Sequence, residues 1–116
     1  MINLFGKGFI GKHFANDYSC VVNEKHDHVP NLKNVTDVLY LISTVDNYHV
    51  RTNPYIDIET NLTTLIRVLE NFRRDPRSQD VVFNFVSSWF VYGDTDLPAK
   101  EESACNPKGF YSITKR

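Results

Sequence analysis

The chain has 116 residues and a formal net charge of −1, with a pI near 6.4; it is long enough for one domain with a buried core. No basic stripe or charge block points to nucleic acid. No apolar run is long enough to span a bilayer, and no basic lead into an apolar signal core opens the chain. Cys20 and Cys105 are far apart and form neither a metal spacing nor a disulfide framework, which argues for a reduced, cytoplasmic chain.

Met1 to Phe5 is a short apolar run that reads as a buried strand. It leads directly into Gly6-Lys7-Gly8-Phe9-Ile10-Gly11, a G-x-G-x-x-G pattern between a strand and a helix. In that setting the first glycine permits the tight turn, the second lets backbone approach a pyrophosphate, and the third lets helix pack on strand. The diphosphate would rest on free N–H groups at the helix N-terminus. The helix is predicted from Ile10 to Asp17, with Ile10 and Phe14 toward the sheet. Tyr18 to Asn23 is the second predicted strand, with Cys20 read as a small buried hydrophobe. Glu24 at its end can accept hydrogen bonds from both ribose hydroxyls of an adenosine and would repel a 2′-phosphate. That favours NAD over NADP, and the neighbouring Lys25 weakens the preference.

Lys25 to Thr36 is polar and too short for helix, strand and crossover; a loop with one short helix, or a missing third strand, is expected. His26 and His28 have no partners at a metal-binding spacing, so no metal is expected. Asp37 to Thr44 is a continuous apolar run with the character of a parallel strand buried on both faces. Its end, Ile42-Ser43-Thr44, would line the carboxyl edge of the sheet, where ligands bind in open α/β sheets. After a loop from Val45 to Asp57, Ile58 to Arg73 is the clearest helix, with a stripe of Ile58, Leu62, Leu65, Ile66, Leu69 and Phe72 read as core. Asn61, early in that helix, could bond a neighbouring loop or the cofactor, or simply cap.

Val81 to Val86 has a buried-strand pattern and ends in Ser87-Ser88. The aromatic cluster from Trp89 to Tyr92 and a turn at Gly93-Asp94 follow, then a polar loop from Asp96 to Gly109. A last helix begins at Tyr111. Tyr111 and Lys115 are four residues apart and so share a helix face. A free tyrosine hydroxyl titrates too high to be a base at neutral pH, and a nearby ammonium favours its phenolate. With Ser88 holding a substrate oxygen, this is a general acid–base arrangement for interconverting alcohol and carbonyl. Tyr-x-x-x-Lys alone is also a common chance pattern, a packed ring beside a solvated charge.

Strands alternating with helices indicate an α/β fold, a Rossmann-like parallel sheet flanked by helices and incomplete at the C-terminus. Gly8-Phe9-Ile10-Gly11, Asn61 in NLTTLIRVLE, SSWFVYG from Ser87 to Gly93, and Pro107 ahead of Tyr111 in YSITK together resemble the extended short-chain dehydrogenase/reductases, the NAD-dependent epimerase/dehydratase family. The resemblance implies a catalytic set of Ser88, Tyr111 and Lys115. It implies a cofactor set of Gly6, Gly8, Phe9, Ile10, Gly11, Glu24, Ile42, Ser43, Thr44, Asn61, Tyr111 and Lys115. The implied cofactor is NAD, with NADP as the alternative, and the implied partner is a nucleotide-sugar substrate; a homodimer is within the family's range. On this reading residues 1–116 are one NAD(P)-binding domain, truncated, without its substrate lobe. The departures are Phe5 at the family's first glycine position and Trp89-Phe90 where its 4,6-dehydratases carry Asp-Glu, which argues against dehydration by that route. A non-catalytic NAD(P)-binding or partner-binding module that kept the fold is the alternative.

Overall fold

A computed structural model describes residues 1–24, 26–45, 51–95 and 98–116. Lys25 and parts of two expected loops, 46–50 and 96–97, lie outside the described residues. Four parallel strands form one sheet in the order β2-β1-β3-β4: β1 is Ile2–Phe5, β2 Cys20–Val22, β3 Asp37–Tyr40 and β4 Val82–Phe85. α1 (Phe9–Asp17) joins β1 to β2. A π-helical segment, Ile58–Thr63, runs into α2 (Thr64–Arg74) between β3 and β4. A short 3-10 turn, Trp89–Tyr92, follows β4, and α3 (Phe110–Thr114) ends the ordered elements. The α/β class and the parallel sheet are therefore as the sequence reads. No third strand forms between β2 and β3 among the described residues, and β1 pairs β3 directly, Ile2 beside Asp37. No helix among the described residues is long and apolar enough to cross a membrane.

The core lies between the sheet and α2. Phe5, Leu32, Val38, Tyr40 and Val68 are buried together, with Leu65, Phe72 and Phe83 packed against them. Each such side chain contributes about 1.5–3 kcal/mol of apolar burial. Tyr40 is ringed by Phe5, Phe83 and Phe85 at centroid separations of 6.0, 6.1 and 6.4 Å.

Four expectations need correction. The helical stripe that faces the core is Asn61, Leu65, Val68 and Phe72, whereas Ile58, Ile66 and Leu69 are exposed. The π-helical start is the reason: Thr64 N–H bonds to Glu59 O five residues back, which turns the face relative to an unbroken α-helix. Ile10 is exposed because α1 meets the sheet through Gly11, whose missing side chain lets backbone sit against β1. Cys20 is only half-buried, since β2 is an edge strand. The buried character expected for Val81 to Val86 also fails. β4 lies at the other edge, and Val82 is 59% exposed.

Candidate functional site

In a parallel sheet all strands end on one side, so the loops after β1, β3 and β4 share an edge. The contacts there are specific. Gly6 has φ +96°, and a Cβ on it would lie 2.8 Å from Ile42 N. Gly11 is closer still, since its Cβ would sit 2.1 Å from Gly6 O. Loop, helix start and the strand end at Ile42 are thus packed backbone to backbone, which only glycine allows. Gly8 differs: it precedes α1 with nothing within 4 Å of a Cβ position. No side chain caps that helix, and no carboxylate stands in its first turn. Its first N–H groups remain available to an anion. Phe9 and Ile10 are exposed beside them. Gly8 is the position where a dinucleotide diphosphate could come close, while Gly6 and Gly11 hold the loop against Ile42 and itself.

The segment after β3 is tied to the π-helical segment and α3 by one buried network. Asn61 Oδ1 accepts from Thr44 N–H at 2.8 Å, and Asn61 Nδ2 donates to Thr44 Oγ1 at 3.0 Å and Thr114 Oγ1 at 2.9 Å. Thr44 Oγ1 donates to Asp57 Oδ1 at 2.5 Å. Thr114 Oγ1 in turn donates to Tyr111 O at 2.8 Å. Ser43 is half-buried, with its hydroxyl bonded to Thr44 O. At β4, Ser87 Oγ donates to Lys115 O at 2.7 Å, fixing the end of α3 to the sheet. The glycine loop and the Tyr111–Lys115 helix therefore meet the same edge.

Lys115 is 3% exposed, and its Nζ lies 4.5 Å above the Phe85 ring. Burial pushes its ammonium below the usual lysine range. Tyr111 is half-buried, edge-on to Phe90 at 6.1 Å between centroids. Ser88 is half-buried, and its hydroxyl accepts Phe90 N–H at 3.3 Å as the cap of the short turn. Among the described residues no hydrogen bond joins the side chains of Ser88, Tyr111 and Lys115. A pocket of about 190 Å³ opens beside Tyr111, walled by Asp57, Phe90, Lys108 and Phe110. Glu24 is exposed, just beyond β2.

Sequence reasoning missed Asp57, Thr114 and the tether role of Ser87. Asp57 stands four before Asn61, a same-face spacing that was there to be read. Thr114 and Ser87 carried no signal beyond small polar side chains.

No protein-family model matches the chain, and no curated protein matches it. Solved structures do. RMD from Pseudomonas aeruginosa, complexed with NADPH, aligns with a TM-score of 0.77 at 20% identity, over 98% of this chain and 45% of that one. The UDP-glucose 4-epimerase of Thermus thermophilus, complexed with NAD, aligns with a TM-score of 0.72 at 22% identity, over 99% and 47%. DesIV, a dTDP-glucose 4,6-dehydratase from Streptomyces venezuelae with NAD and TYD bound, gives 0.75 at 19%, over 99% and 48%. In fold the chain matches the N-terminal half of structures of the extended short-chain dehydrogenase/reductase type, the NAD-dependent epimerases and dehydratases. It spans a little under half the length of each of these proteins.

Proposed function

We propose that the chain is the cofactor-binding part of an NAD(P)-dependent oxidoreductase or epimerase acting on a nucleotide sugar. The observation that carries this is the shared edge: Gly6 against Ile42, Thr44 bonded to Asn61 and Asn61 to Thr114, Ser87 bonded to the Lys115 carbonyl. In this reading Gly6, Gly8 and Gly11 with Phe9 and Ile10 hold the diphosphate. Glu24 takes the adenosine ribose and favours NAD. Ile42, Ser43, Thr44 and Asn61 line the nicotinamide half. A bound nicotinamide would supply the hydride carrier. Ser88 holds the substrate oxygen, Tyr111 moves its proton, and Lys115 supports the phenolate and the second ribose.

The structural neighbours fit: RMD is complexed with NADPH, and the UDP-glucose 4-epimerase and the dTDP-glucose 4,6-dehydratase with NAD. Free Cys20 and Cys105 suit a cytoplasmic location. The exposed Ile58, Ile66 and Leu69 beside α2 offer a face for a homodimer. One observation favours a second reading, a non-catalytic NAD(P)-binding module: the Lys115 ammonium rests on Phe85, and Tyr111 packs on Phe90.

Isothermal titration with NAD and NADP tests the binding. Saturable binding, with NAD the tighter, is expected; failure of both to bind the folded chain overturns the cofactor assignment. Adding UDP-glucose with NAD and following NADH absorbance separates the two readings. Turnover abolished by Tyr111→Phe supports the enzyme, and Tyr111→Phe and Lys115→Met chains that bind NAD as tightly as the wild type support the module.

A further inference from the structure

β1 is the second strand of the sheet, yet its second residue is a fully buried asparagine. Asn3 Nδ2 donates to Val21 O at 2.9 Å and to Asn23 Oδ1, and its Oδ1 accepts Asn31 N–H at 2.9 Å. Asn23 continues the pattern. Its N–H bonds to Leu4 O at 2.9 Å, one step past the end of β2. Its Nδ2 donates to Val29 O at 2.9 Å and Asp27 Oδ2 at 3.3 Å. Asp27 N–H then closes a turn on Glu24 O at 3.0 Å, and Asp27 Oδ1 accepts Val29 N–H at 2.9 Å.

Glu24 is therefore held on both sides, by Asn23 before it and by the Asp27 turn after it. Leu4 pairs Val22, and the next bond joins Asn23 to Leu4, so Glu24 leaves β2 at the same edge of the sheet as the turn at Gly6 that follows β1. A polar side chain buried in a strand costs stability unless fully bonded. Asn3 is fully bonded, and each of its bonds leads into the segment that carries Glu24.

We propose that Asn3 and Asn23 are positioning residues for cofactor choice: they hold Glu24 at the place where its carboxylate accepts both adenosine ribose hydroxyls and turns a 2′-phosphate away. This rests on the dinucleotide reading above and adds to it a source of selectivity inside the core. An ordinary loop tie would stabilise the fold without discriminating between two ligands that differ by one phosphate.

The experiment is titration calorimetry of NAD and NADP on the wild type, Asn3→Val, Asn23→Ala, Glu24→Gln and Asn23→Ala/Glu24→Gln. The wild type is expected to bind NAD the more tightly. Asn3→Val and Asn23→Ala should weaken NAD by about tenfold and leave NADP unchanged or tighter. In the Glu24→Gln background Asn23→Ala should cost nothing further, because coupled residues are not additive. Equal losses for both dinucleotides, no loss, or an additive double variant overturns the proposal. If Asn3→Val does not fold by circular dichroism, Asn23→Ala decides, since it cuts the network in the loop and leaves β1 intact. A wild type that binds neither dinucleotide overturns the cofactor reading first and this proposal with it, and that result is seen before any substitution is made.

Discussion

Asn61 holds Thr44 by two bonds at once, its amide oxygen on the Thr44 N–H at 2.8 Å and its amide nitrogen on the Thr44 hydroxyl at 3.0 Å. The second N–H of that amide reaches Thr114. One side chain thus clasps the end of β3 to α3, and all three residues are buried. Asn61→Ala leaves the Thr44 N–H without a partner, at a cost of about 1–3 kcal/mol. It should lower the midpoint of urea unfolding and raise the NAD dissociation constant together. Asn61→Asp should do much the same, because the carboxylate keeps the acceptor and loses both donors.

The three glycines of the first loop should separate cleanly. Gly11→Ala places a methyl 2.1 Å from Gly6 O, and the backbone must move; overpacking of this kind costs about 1–3 kcal/mol. Gly8→Ala meets nothing within 4 Å and sits at φ −77°, so thermal unfolding should be unchanged. A diphosphate lying against Gly8 would be crowded by the same methyl. Gly8→Ala is thus the variant that loses NAD affinity without losing stability, as calorimetry beside a melting curve would show.

Among the described residues the fully buried Tyr40 hydroxyl has no hydrogen-bond partner, and burial pushes its pKa up to about 12. Tyr40→Phe keeps the ring contacts and removes the orphan oxygen. Stability at neutral pH should rise by about 1 kcal/mol. The folded-state pKa lies above the ordinary value, so the protonated phenol contributes stability that is present below pH ~10 and lost as pH rises through about 12. Chemical denaturation across that window should show the alkaline loss in the wild type and a smaller one in Tyr40→Phe.

Lys115 has the opposite sign. Burial lowers its pKa from 10.5, so the folded state gives up its proton more readily than the unfolded chain. Its contribution is fully present above 10.5 and is lost as pH falls through the lowered folded value. Lys115→Met removes this dependence and the cation above Phe85, leaving an unbranched apolar side chain in its place. The variant should melt higher at neutral pH and show a flatter rise in stability toward alkaline pH, with its carbonyl still held by Ser87.

Much of the fold was written in the residue pattern. The apolar runs that open at Met1 and Asp37 supplied the paired centre of the sheet, Ile2–Phe5 beside Asp37–Tyr40, because a continuous hydrophobic stretch can be satisfied only where both faces are covered. The second of these strands stops four residues short of Thr44. The tight turn between β1 and α1 followed from glycine spacing alone. The helical stripe did not, because the π-helical bonding of Ile58–Thr63 is a tertiary choice that lets Asn61 reach Thr44 and Thr114. Nor did the exposure of β4, since a strand's letters do not say whether another strand lies beside it. In the site, Tyr111, Lys115 and Asn61 could be picked out by position. Asn3 could not: a single asparagine in an apolar run has no local signature, and its partners at Val21, Asn23 and Asn31 are brought to it only by folding.

β1, the earliest of these four strands in the chain, is an inner strand of the sheet. Met1 O accepts Thr36 N–H, and β1 finds its second neighbour only when β3 arrives. As the chain leaves the ribosome, Ile2–Phe5 can dock on β2 early, but one side stays open until some thirty-five residues more have emerged. Pairing over such separations makes parallel sheets slow to assemble. A nascent chain of this design therefore depends on whatever shields that open strand while it waits.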